Sequence, residues 1–325
     1  MLVLNLLEAV TNALDVAMSN DANVVVFGED VGVEGGVFRA TKGLQAKYGE
    51  ARCFDSILAE SSIIGSGIGM AINGLKPVVE IQFDGFVFPG FNQIVTHAAR
   101  MRNRSRGLFT VPMVIRMPYG GGVRALEHHS ESPEVFFAHT AGLKVVIPST
   151  PYDAKGLLLA AIADPDPVIF LEPKREYRAF KQEVPEEYYT IPIGKAKVLK
   201  EGKDITVVAW GAMVRETQKA IKILEEQGYS IELIDLRTIS PIDKETILAS
   251  VQKTGRFAVV HEAATSYGPG AELITVVNEG AFLYLEAPPK RISSNDTIVP
   301  LPKGEHHYVP EVDYIVAELK TVLEF

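Results

Sequence analysis

The chain has 325 residues, of which 47% are hydrophobic and 22% are charged, so it is long enough to bury the cores of two domains. Its formal net charge of −9 argues against a nucleic-acid partner, because neutralising phosphates requires a basic surface. The single cysteine, Cys53, excludes a disulfide within the chain and is typical of a reducing compartment, so we expect a cytoplasmic protein.

The first predicted element is an amphipathic helix within residues 1–21. Its apolar residues have helical spacing, but four polar or acidic residues interrupt them, namely Asn5, Glu8, Asn12 and Asp15. A signal peptide or a membrane anchor would need a basic start or an unbroken apolar run. We therefore expect neither of these, and no membrane partner.

From Asn23 onward, short β-branched runs alternate with helical patterns. This alternation predicts an α/β fold with two domains, each a mainly parallel sheet with helices on both faces. In the first domain the predicted strands are Val24–Phe27, Pro77–Gln82, Val111–Arg116, Leu143–Pro148 and Val168–Leu171. The predicted helices there are Lys42–Tyr48, Glu60–Ile72, Phe91–Arg104, Ser132–His139 and Tyr152–Ala163.

A charged segment with several prolines, residues 173–202, breaks the alternation and is predicted to cross the surface. We place the first domain at residues 1–185, the linker at 186–202 and the second domain at 203–325. In the second domain the predicted strands are Ile205–Trp210, Ser230–Leu236 and Phe257–His261. The predicted helices there are Met213–Gln227, Asp243–Lys253, Pro269–Glu279 and Val312–Leu323.

Glu60 stands alone among apolar, small and hydroxyl-bearing residues, directly before the run Ser61–Ala71, which we expect to be buried. In the first turn of a packed helix, desolvation favours the protonated carboxyl group and the helix N-terminus favours the carboxylate. A group held between these effects is a candidate for handling a proton. The alternative is an ordinary acidic residue at a helix start.

The glycines Gly65, Gly67 and Gly69 are similar to a dinucleotide-binding fingerprint. That fingerprint needs a third small residue where this chain has Met70, and it needs a strand directly before the first glycine. We interpret the glycines instead as allowing the helix to lie close to a neighbouring backbone. A nicotinamide-dependent dehydrogenase remains the alternative that this stretch raises.

Two loops that follow predicted strands, residues 28–39 and 117–134, are unusually rich in glycine and titratable groups. The second contains Arg124, His128 and His129. Ligands of open parallel sheets bind at the carboxyl ends of the strands, so these loops are candidate parts of a site. The alternative for the second loop is a solvated crossover.

Several windows together resemble one family over essentially the whole chain, among them VVVFGEDVG, LAESSIIGSGIGMAINGLKPVVEIQF, HHSESPEVFFAHTAGLKVVIPSTPYDAKGLL, DPVIFLEPKREYR, DLRTISPID and KTGRFAVVHEA. The family is the beta subunit of the thiamine-diphosphate-dependent decarboxylating component of 2-oxoacid dehydrogenase complexes. HHSESPEVFFAH and FLEPKREYR are more similar to branched-chain 2-oxoacid dehydrogenases than to pyruvate dehydrogenases. The resemblance implies a pyrimidine-binding domain followed by a transketolase C-terminal-like domain.

The resemblance also implies roles for particular residues. Glu60 would hold the proton at a pyrimidine nitrogen that lets the cofactor act as its own base. Phe86 would stack on the pyrimidine, although core packing is an alternative for an aromatic residue. Leu58 and Gln82 would complete the cofactor contacts made by this chain.

His129 would act on the substrate and assist acyl transfer to a lipoyl group, with His128 as the neighbouring alternative. The implied substrate is a branched-chain 2-oxoacid, and pyruvate is the alternative. A noncatalytic subunit of the same fold is a further alternative, but the joint presence of Glu60, Phe86 and His129 argues against it.

The Gly-Asp-Gly motif through which thiamine enzymes bind their diphosphate and magnesium does not occur in the sequence. The resemblance therefore implies that an alpha subunit supplies this half of the site, in a heterotetramer of two alpha and two beta subunits. It also implies a lipoyl acyltransferase core as a partner. We expect the second domain to serve assembly and not chemistry, with Asp296, Glu324 and Phe325 in the docking region for that core.

The resemblance further implies a potassium site at the end of a helix, formed by Met113, Ala161, Ile162, Asp164 and Asp166. Hard cations favour such oxygen ligands. Members of the family commonly have asparagine where this chain has Asp166. A simple turn that ends the helix is therefore the alternative.

Overall fold

The structure is a computed structural model that describes residues 1–325. The chain forms two compact units, the first made of residues 1–119 and 136–193, and the second of residues 120–135 and 194–325. The segment 120–135 thus groups with the second unit, although the sequence places it inside the first domain. The predicted bounds at 186–202 stay a prediction.

The first unit contains eight strands and seven helices. The strands are β1 (Leu2–Leu4), β2 (Val24–Gly28), β3 (Cys53–Asp55), β4 (Lys76–Glu80), β5 (Val114–Tyr119), β6 (Lys144–Val146), β7 (Val168–Pro173) and β8 (Gln182–Val184). The helices are α1 (Leu6–Asn20), α2 (Leu44–Tyr48), α3 (Glu60–Ile72), α4 (Phe88–Thr96), α5 (Met101–Arg104), α6 (Glu134–Ala138) and α7 (Pro151–Ala163).

The main sheet of the first unit has the strand order β6-β7-β5-β4-β2-β3, and its neighbouring strands are all parallel. Alternate residues of a strand point to opposite faces. Val78 therefore packs into the core beneath α1 and α7, whereas its neighbour Val79 faces α3, close to Gly67. Helices cover both faces of this sheet, as predicted.

The second unit contains the strands β9 (Lys197–Lys200), β10 (Ile205–Ala209), β11 (Ile231–Asp235), β12 (Thr238–Ser240), β13 (Phe257–Ala264) and β14 (Lys290–Ser294). Its helices are α8 (Ala212–Glu225), α9 (Lys244–Thr254), α10 (Pro269–Ala281) and α11 (Val312–Leu323). The sheet order is β14-β13-β10-β11-β9, and only the edge strand β9 is antiparallel to its neighbour.

Side chains on the two faces of β10 show how helices sandwich this second sheet. Val207 belongs to the apolar core formed with α8 and α11. Thr206 faces the other way, and its hydroxyl is hydrogen-bonded to Ser250 and Thr254 of α9, at 2.6 and 2.7 Å. The predicted α/β class, with two mainly parallel sheets flanked by helices, is confirmed.

Three local predictions were wrong. The single helix predicted at 91–104 is divided into α4 and α5 by a tighter turn at residues 98–100. The helix predicted at 132–139 is only the five-residue α6. The run after Glu60 is not fully buried, because only one face of α3 packs on the sheet and Ser62, Ser66 and Gly69 on the other face are exposed.

The predicted N-terminal helix is α1, which begins at an Asn5 capping box shared with Glu8. Asn5 accepts a hydrogen bond from the Glu8 amide at 2.9 Å, and Glu8 accepts one from the Asn5 amide at 2.8 Å. This reciprocal pair satisfies two amides that a helix start leaves without partners. None of the helices has the length and apolar character needed to span a membrane.

Candidate functional site

Acidic groups gather at the carboxyl end of β2 in the first unit. Glu29 and Asp30 follow this strand directly, and the Gln82 amide, which follows β4, donates a hydrogen bond to Asp30 at 3.3 Å. Burial raises the pKa of Glu29, and the negative charges of Asp30 and then Glu60 raise it further. The predicted residues Glu60 and Gln82 therefore belong to one acidic cluster at the strand ends, where open parallel sheets bind ligands.

Close backbone packing fixes the start of the α3 helix and hence Glu60. A Cβ atom placed on Gly90 of α4 would lie 3.0 Å from the Glu60 carbonyl oxygen and 2.9 Å from Cγ1 of Ile64. A Cβ on Gly67 would lie 2.6 Å from Cε of Met113. Gly67 therefore lets α3 pack tightly, but against side chains, and a Cβ atom on Gly69 would have no neighbour within 4 Å. The prediction that these glycines bring the helix close to a neighbouring backbone was wrong. The glycines lie inside α3, so they form no strand-to-helix turn for a dinucleotide.

The aromatic residue predicted to contact the cofactor lies in the turn at residues 84–87. Phe86 is partly buried and packs edge to face against Phe83, with ring centroids 5.8 Å apart, and Phe83 packs against Phe38 at 5.5 Å. The turn is anchored by Asp84, which pairs with Lys174 at 3.2 Å although both side chains are fully buried. Phe86 thus has a fixed place near the end of β4.

Leu58 is two residues before Glu60 and exposes 72% of its surface. Its neighbour Ile57 is similarly exposed, at 74%. Two large apolar side chains in water beside a carboxylate form a surface suited to an apolar ligand or to another protein. The segment before Glu60 therefore presents an exposed apolar surface, formed by Ile57 and Leu58.

A buried ionic network that the sequence analysis missed connects three adjacent strands. Arg116 of β5 donates to Glu172 of β7 through Nε and Nη2, at 2.7 and 2.9 Å, and also donates to Glu80 of β4. The Tyr177 hydroxyl donates to Glu172 at 2.5 Å. Burial raises the pKa of Glu80; the Arg116 guanidinium opposes this effect, and the negative charge of Glu172 adds to it.

This network supports the loop that carries Glu29. Gly36, at φ +78°, lies over Glu80 so closely that a Cβ atom would be 2.9 Å from the carboxylate oxygen. The sequence does contain a signal for this ionic network. One charged residue lies inside each of three apolar strand segments, Val-Val-Glu, Ile-Arg-Met and Leu-Glu-Pro. Buried charges are nearly always paired, and that rule predicts their mutual contact.

The two histidines belong to the second unit, on the segment 120–135. His129 is partly buried in a helical turn at residues 127–129, and its amide donates to the Leu126 carbonyl at 2.9 Å. His128 is exposed. The Gly120 amide donates to the Glu131 carbonyl at 2.8 Å and closes the segment into a loop.

The residues predicted to bind potassium already have other partners. Asp164 pairs with Lys144, with oxygen-to-nitrogen distances of 2.6 and 2.5 Å. Asp166 pairs with Arg102 at 2.6 Å. The Met113 carbonyl accepts a backbone hydrogen bond at 3.0 Å. Neither carboxylate depends on a bound cation for charge compensation, and the potassium site stays a prediction.

Two family models match the chain in succession. The model described as the transketolase pyrimidine binding domain covers residues 3–179, and the transketolase C-terminal domain covers residues 194–315. Among solved structures, a split gene transketolase, described as an inactive beta4 tetramer, matches with a TM-score of 0.81. The match covers 99% of this chain and 98% of the transketolase chain. Its sequence identity is 22%, so it supports the fold alone.

Curated relatives are much closer in sequence. The pyruvate dehydrogenase E1 component subunit beta of Acholeplasma laidlawii is 67% identical over 320 residues, which is 98% of each chain. The subunits of the same name from Mycoplasma genitalium and Staphylococcus aureus are 56% and 51% identical, over 93% and 99% of each chain. These names refer to pyruvate, so they do not support the branched-chain interpretation. This chain belongs to the family of E1 beta subunits of thiamine-diphosphate-dependent 2-oxoacid dehydrogenases.

Proposed function

We propose that the chain is the beta subunit of a pyruvate dehydrogenase E1 component. Together with an alpha subunit it would decarboxylate pyruvate and transfer the resulting acetyl group to a lipoyl group. Pyruvate replaces the branched-chain substrate that the sequence motifs favoured, because the relatives at 51–67% identity carry the pyruvate name. The observation that carries the catalytic assignment is the acidic cluster around Glu60 and Glu29.

Glu60, Phe86, Leu58 and Gln82 would bind the pyrimidine part of thiamine diphosphate. An aromatic side chain and a carboxylate fit the face and the ring nitrogen of an aminopyrimidine. When bound, the cofactor supplies the nucleophilic carbon that attacks the 2-oxoacid. The diphosphate and its magnesium would be held by the alpha subunit.

Glu60 would keep a proton at the pyrimidine nitrogen. It has acidic neighbours, because the charges of Asp30 and Glu60 both act on the Glu29 carboxyl group. The raised pKa of Glu29 is the direct sign of this repulsion, after the larger effect of burial. Glu29 therefore favours its protonated form more than an isolated glutamate does, next to the residue assigned to the relay.

His129 would orient the substrate carboxylate and assist acyl transfer. The helical turn at residues 127–129 presents it as a partly buried group, whereas His128 is exposed to water. A catalytic histidine must hold one geometry through the reaction, and partial burial favours that order. We therefore assign the role to His129.

The proposed partners are an alpha subunit, a second beta subunit and the lipoyl acyltransferase core. In the docking region suggested for the core, Asp296 accepts hydrogen bonds from the Ser266 amide at 2.8 Å and from its hydroxyl at 2.6 Å. Phe325 exposes 76% of its surface, and Glu324 accepts a hydrogen bond from Tyr229 at 2.8 Å. Phe325 is the apolar group there that is available to a partner.

The function is tested by co-expression with an alpha subunit, followed by an assay of 2-oxoacid-dependent reduction of an artificial electron acceptor. We expect kcat/KM for pyruvate to exceed that for 3-methyl-2-oxobutanoate by about tenfold or more. A substrate pocket that fits one side chain discriminates against a side chain of another size by about this factor. The opposite preference would restore the branched-chain interpretation. An isolated chain should show no turnover.

The variant E60Q tests the proton relay in the same assembly. We expect it to lose about 100-fold or more in kcat, the order that general acid–base catalysis contributes. The matched control is E34Q, since Glu34 lies in the loop after β2 but pairs with Arg39 at the surface, with 62% of its side chain exposed. Near wild-type turnover in E60Q would refute the relay.

A further inference from the structure

We propose that two glutamates of the second unit, Glu262 and Glu305, are positioning residues for the loop that carries His129. This inference rests on the proposed function, because it concerns how the histidine of that reaction is placed. The loop closes at Gly120, whose amide donates to the Glu131 carbonyl at 2.8 Å. Between these ends, three further amides point at the two carboxylates.

Glu305 holds the middle of the loop with both oxygens. Its Oε1 accepts a hydrogen bond from the Gly122 amide at 2.8 Å, and its Oε2 accepts one from the Arg124 amide at 2.7 Å. The glutamate lies in a helical turn at residues 305–307 and exposes only 4% of its surface. A carboxylate that accepts two amides fixes both the position and the orientation of the peptide segment between them.

The backbone of the loop is shaped for this anion. Gly120, Gly122 and Arg124 all have positive φ, at +82°, +88° and +57°. Residues in this conformation turn amides toward a common point and form a concave anion site. Arg124 adopts it without the freedom of glycine, so the Glu305 carboxylate holds a conformation that an L-residue seldom takes alone.

Glu262 holds the adjacent amide. It lies at the end of β13 with 5% of its surface exposed, and its Oε2 accepts a hydrogen bond from the Gly121 amide at 2.8 Å. The approach is close enough that a Cβ atom on Gly120 would be 2.7 Å from this oxygen. The two carboxylates therefore bind amides 121, 122 and 124 in sequence, immediately before the turn that carries His129.

The contacts point to positioning because they join rigid elements to the loop backbone. Neither glutamate is assigned a contact with substrate or cofactor. Glu262 lies within the buried strand β13, whose earlier residues pair with β10 and β14. A displacement of about 1 Å at a catalytic group can cost on the order of 100-fold in rate, so the geometry of the loop bears directly on turnover.

The test uses glutamine variants in the assembled complex of alpha and beta chains. Glutamine has one acceptor oxygen, so E262Q can still accept the Gly121 amide, whereas E305Q must lose one of its two amide contacts. E311Q is the matched control, because Glu311 lies near the same helical turn but is exposed. Amide hydrogen exchange over residues 120–131 reports the loop directly, without relying on activity.

We expect E305Q to raise the exchange rate at the Gly122 and Arg124 amides about tenfold or more, with β10 and β13 unchanged. Its kcat/KM for pyruvate should fall about tenfold, while the affinity for thiamine diphosphate stays at the wild-type value. E262Q should show smaller changes in both measurements. E311Q should match the wild type.

A double mutant separates positioning from general stability. If Glu305 acts through His129, then E305Q combined with H129A should be no slower than H129A alone. If Glu305 had a purely structural role, the activity losses of the two single variants would multiply in the double mutant. That result would overturn the proposal.

Unchanged exchange at Gly122 and Arg124 in E305Q would also overturn it, whatever the activity. Faster exchange with unchanged kcat/KM would overturn the positioning role and leave the proposed function intact. A wild-type complex inactive on every 2-oxoacid would refute the proposed function, while the exchange data would still decide whether the carboxylates order the loop.

Discussion

Lowering the pH from 7 to 5 should destabilise the second unit through one histidine. His261 is fully buried in β13 and stacks on Trp210, with ring centroids 5.2 Å apart and an interplanar angle of 6°. A Cβ on Gly270 would lie 2.6 Å from Nε2, and one on Gly268 would lie 2.9 Å from Cε1. The imidazole is therefore enclosed on several sides.

Burial lowers the pKa of His261 from 6.5 to about 3, and the positive charge of Arg291 adds to this effect. The folded protein thus keeps the ring neutral at pH 5, whereas the unfolded chain protonates it below pH 6.5. Stability contributed by the neutral ring is complete above pH 6.5 and is lost as the pH falls below that value. Between pH 7 and pH 5 the loss amounts to about 2 kcal/mol of unfolding free energy.

Trp210 makes the measurement local, because it is the only tryptophan of the chain and contacts His261 directly. Urea unfolding followed by its fluorescence at pH 7, 6 and 5 gives the free energy at each pH. The H261Q variant cannot titrate at this position. Its free energy of unfolding should therefore decrease less between pH 7 and pH 5 than that of the wild type, by about 2 kcal/mol.

H139Q is the matched control, because it removes an exposed histidine instead of the buried one. Comparing differences between pH values cancels any constant cost of the substitution. Equal losses in H261Q and the wild type would refute the reasoning, since some other group would then carry the acid sensitivity.

The remaining predictions concern the first unit and the chain end. R116M should reduce the unfolding free energy by about 3–5 kcal/mol, because it leaves two buried carboxylates without their guanidinium. Urea unfolding measures this loss, and a loss below about 1 kcal/mol would contradict the role of the network. Replacing potassium by a bulky organic cation should lower the melting temperature if Asp164 and Asp166 support a potassium site, and equal melting temperatures would remove it. F325S should weaken binding of the acyltransferase without changing turnover with an artificial acceptor, and unchanged binding would exclude Phe325 from docking.

Long, strongly patterned segments could be predicted from the sequence. Apolar strand runs such as those of β2 and β7, and helices such as α3 and α7, carry their own signal in composition and spacing. The three-residue strands β1, β3, β8 and β12 were not predicted, because strands this short depend on pairing with neighbours, whereas the three-residue β6 lies within an apolar run that did predict a strand. The helix expected at 91–104 was divided for the same reason, since tertiary packing can override a local preference for helix.

The candidate site shows the same limit. Glu60 was proposed because it is the one carboxylate in an apolar window, whereas Gln82 was proposed only through the family resemblance. Arg116 was missed, since its meaning appears only when β4, β5 and β7 lie side by side. The contact between Gly122 and Glu305 joins positions 183 residues apart, which no local pattern can report.

The same separation has a consequence during synthesis. Glu305 is made 183 residues after Gly122, and at about 5–20 residues per second this takes roughly 10–40 s. During that interval the amides of Gly122 and Arg124 lack the carboxylate that orders them in the finished chain. The nascent chain therefore orders its histidine loop late, and interruption of translation before Glu305 yields a chain in which this loop has not been ordered.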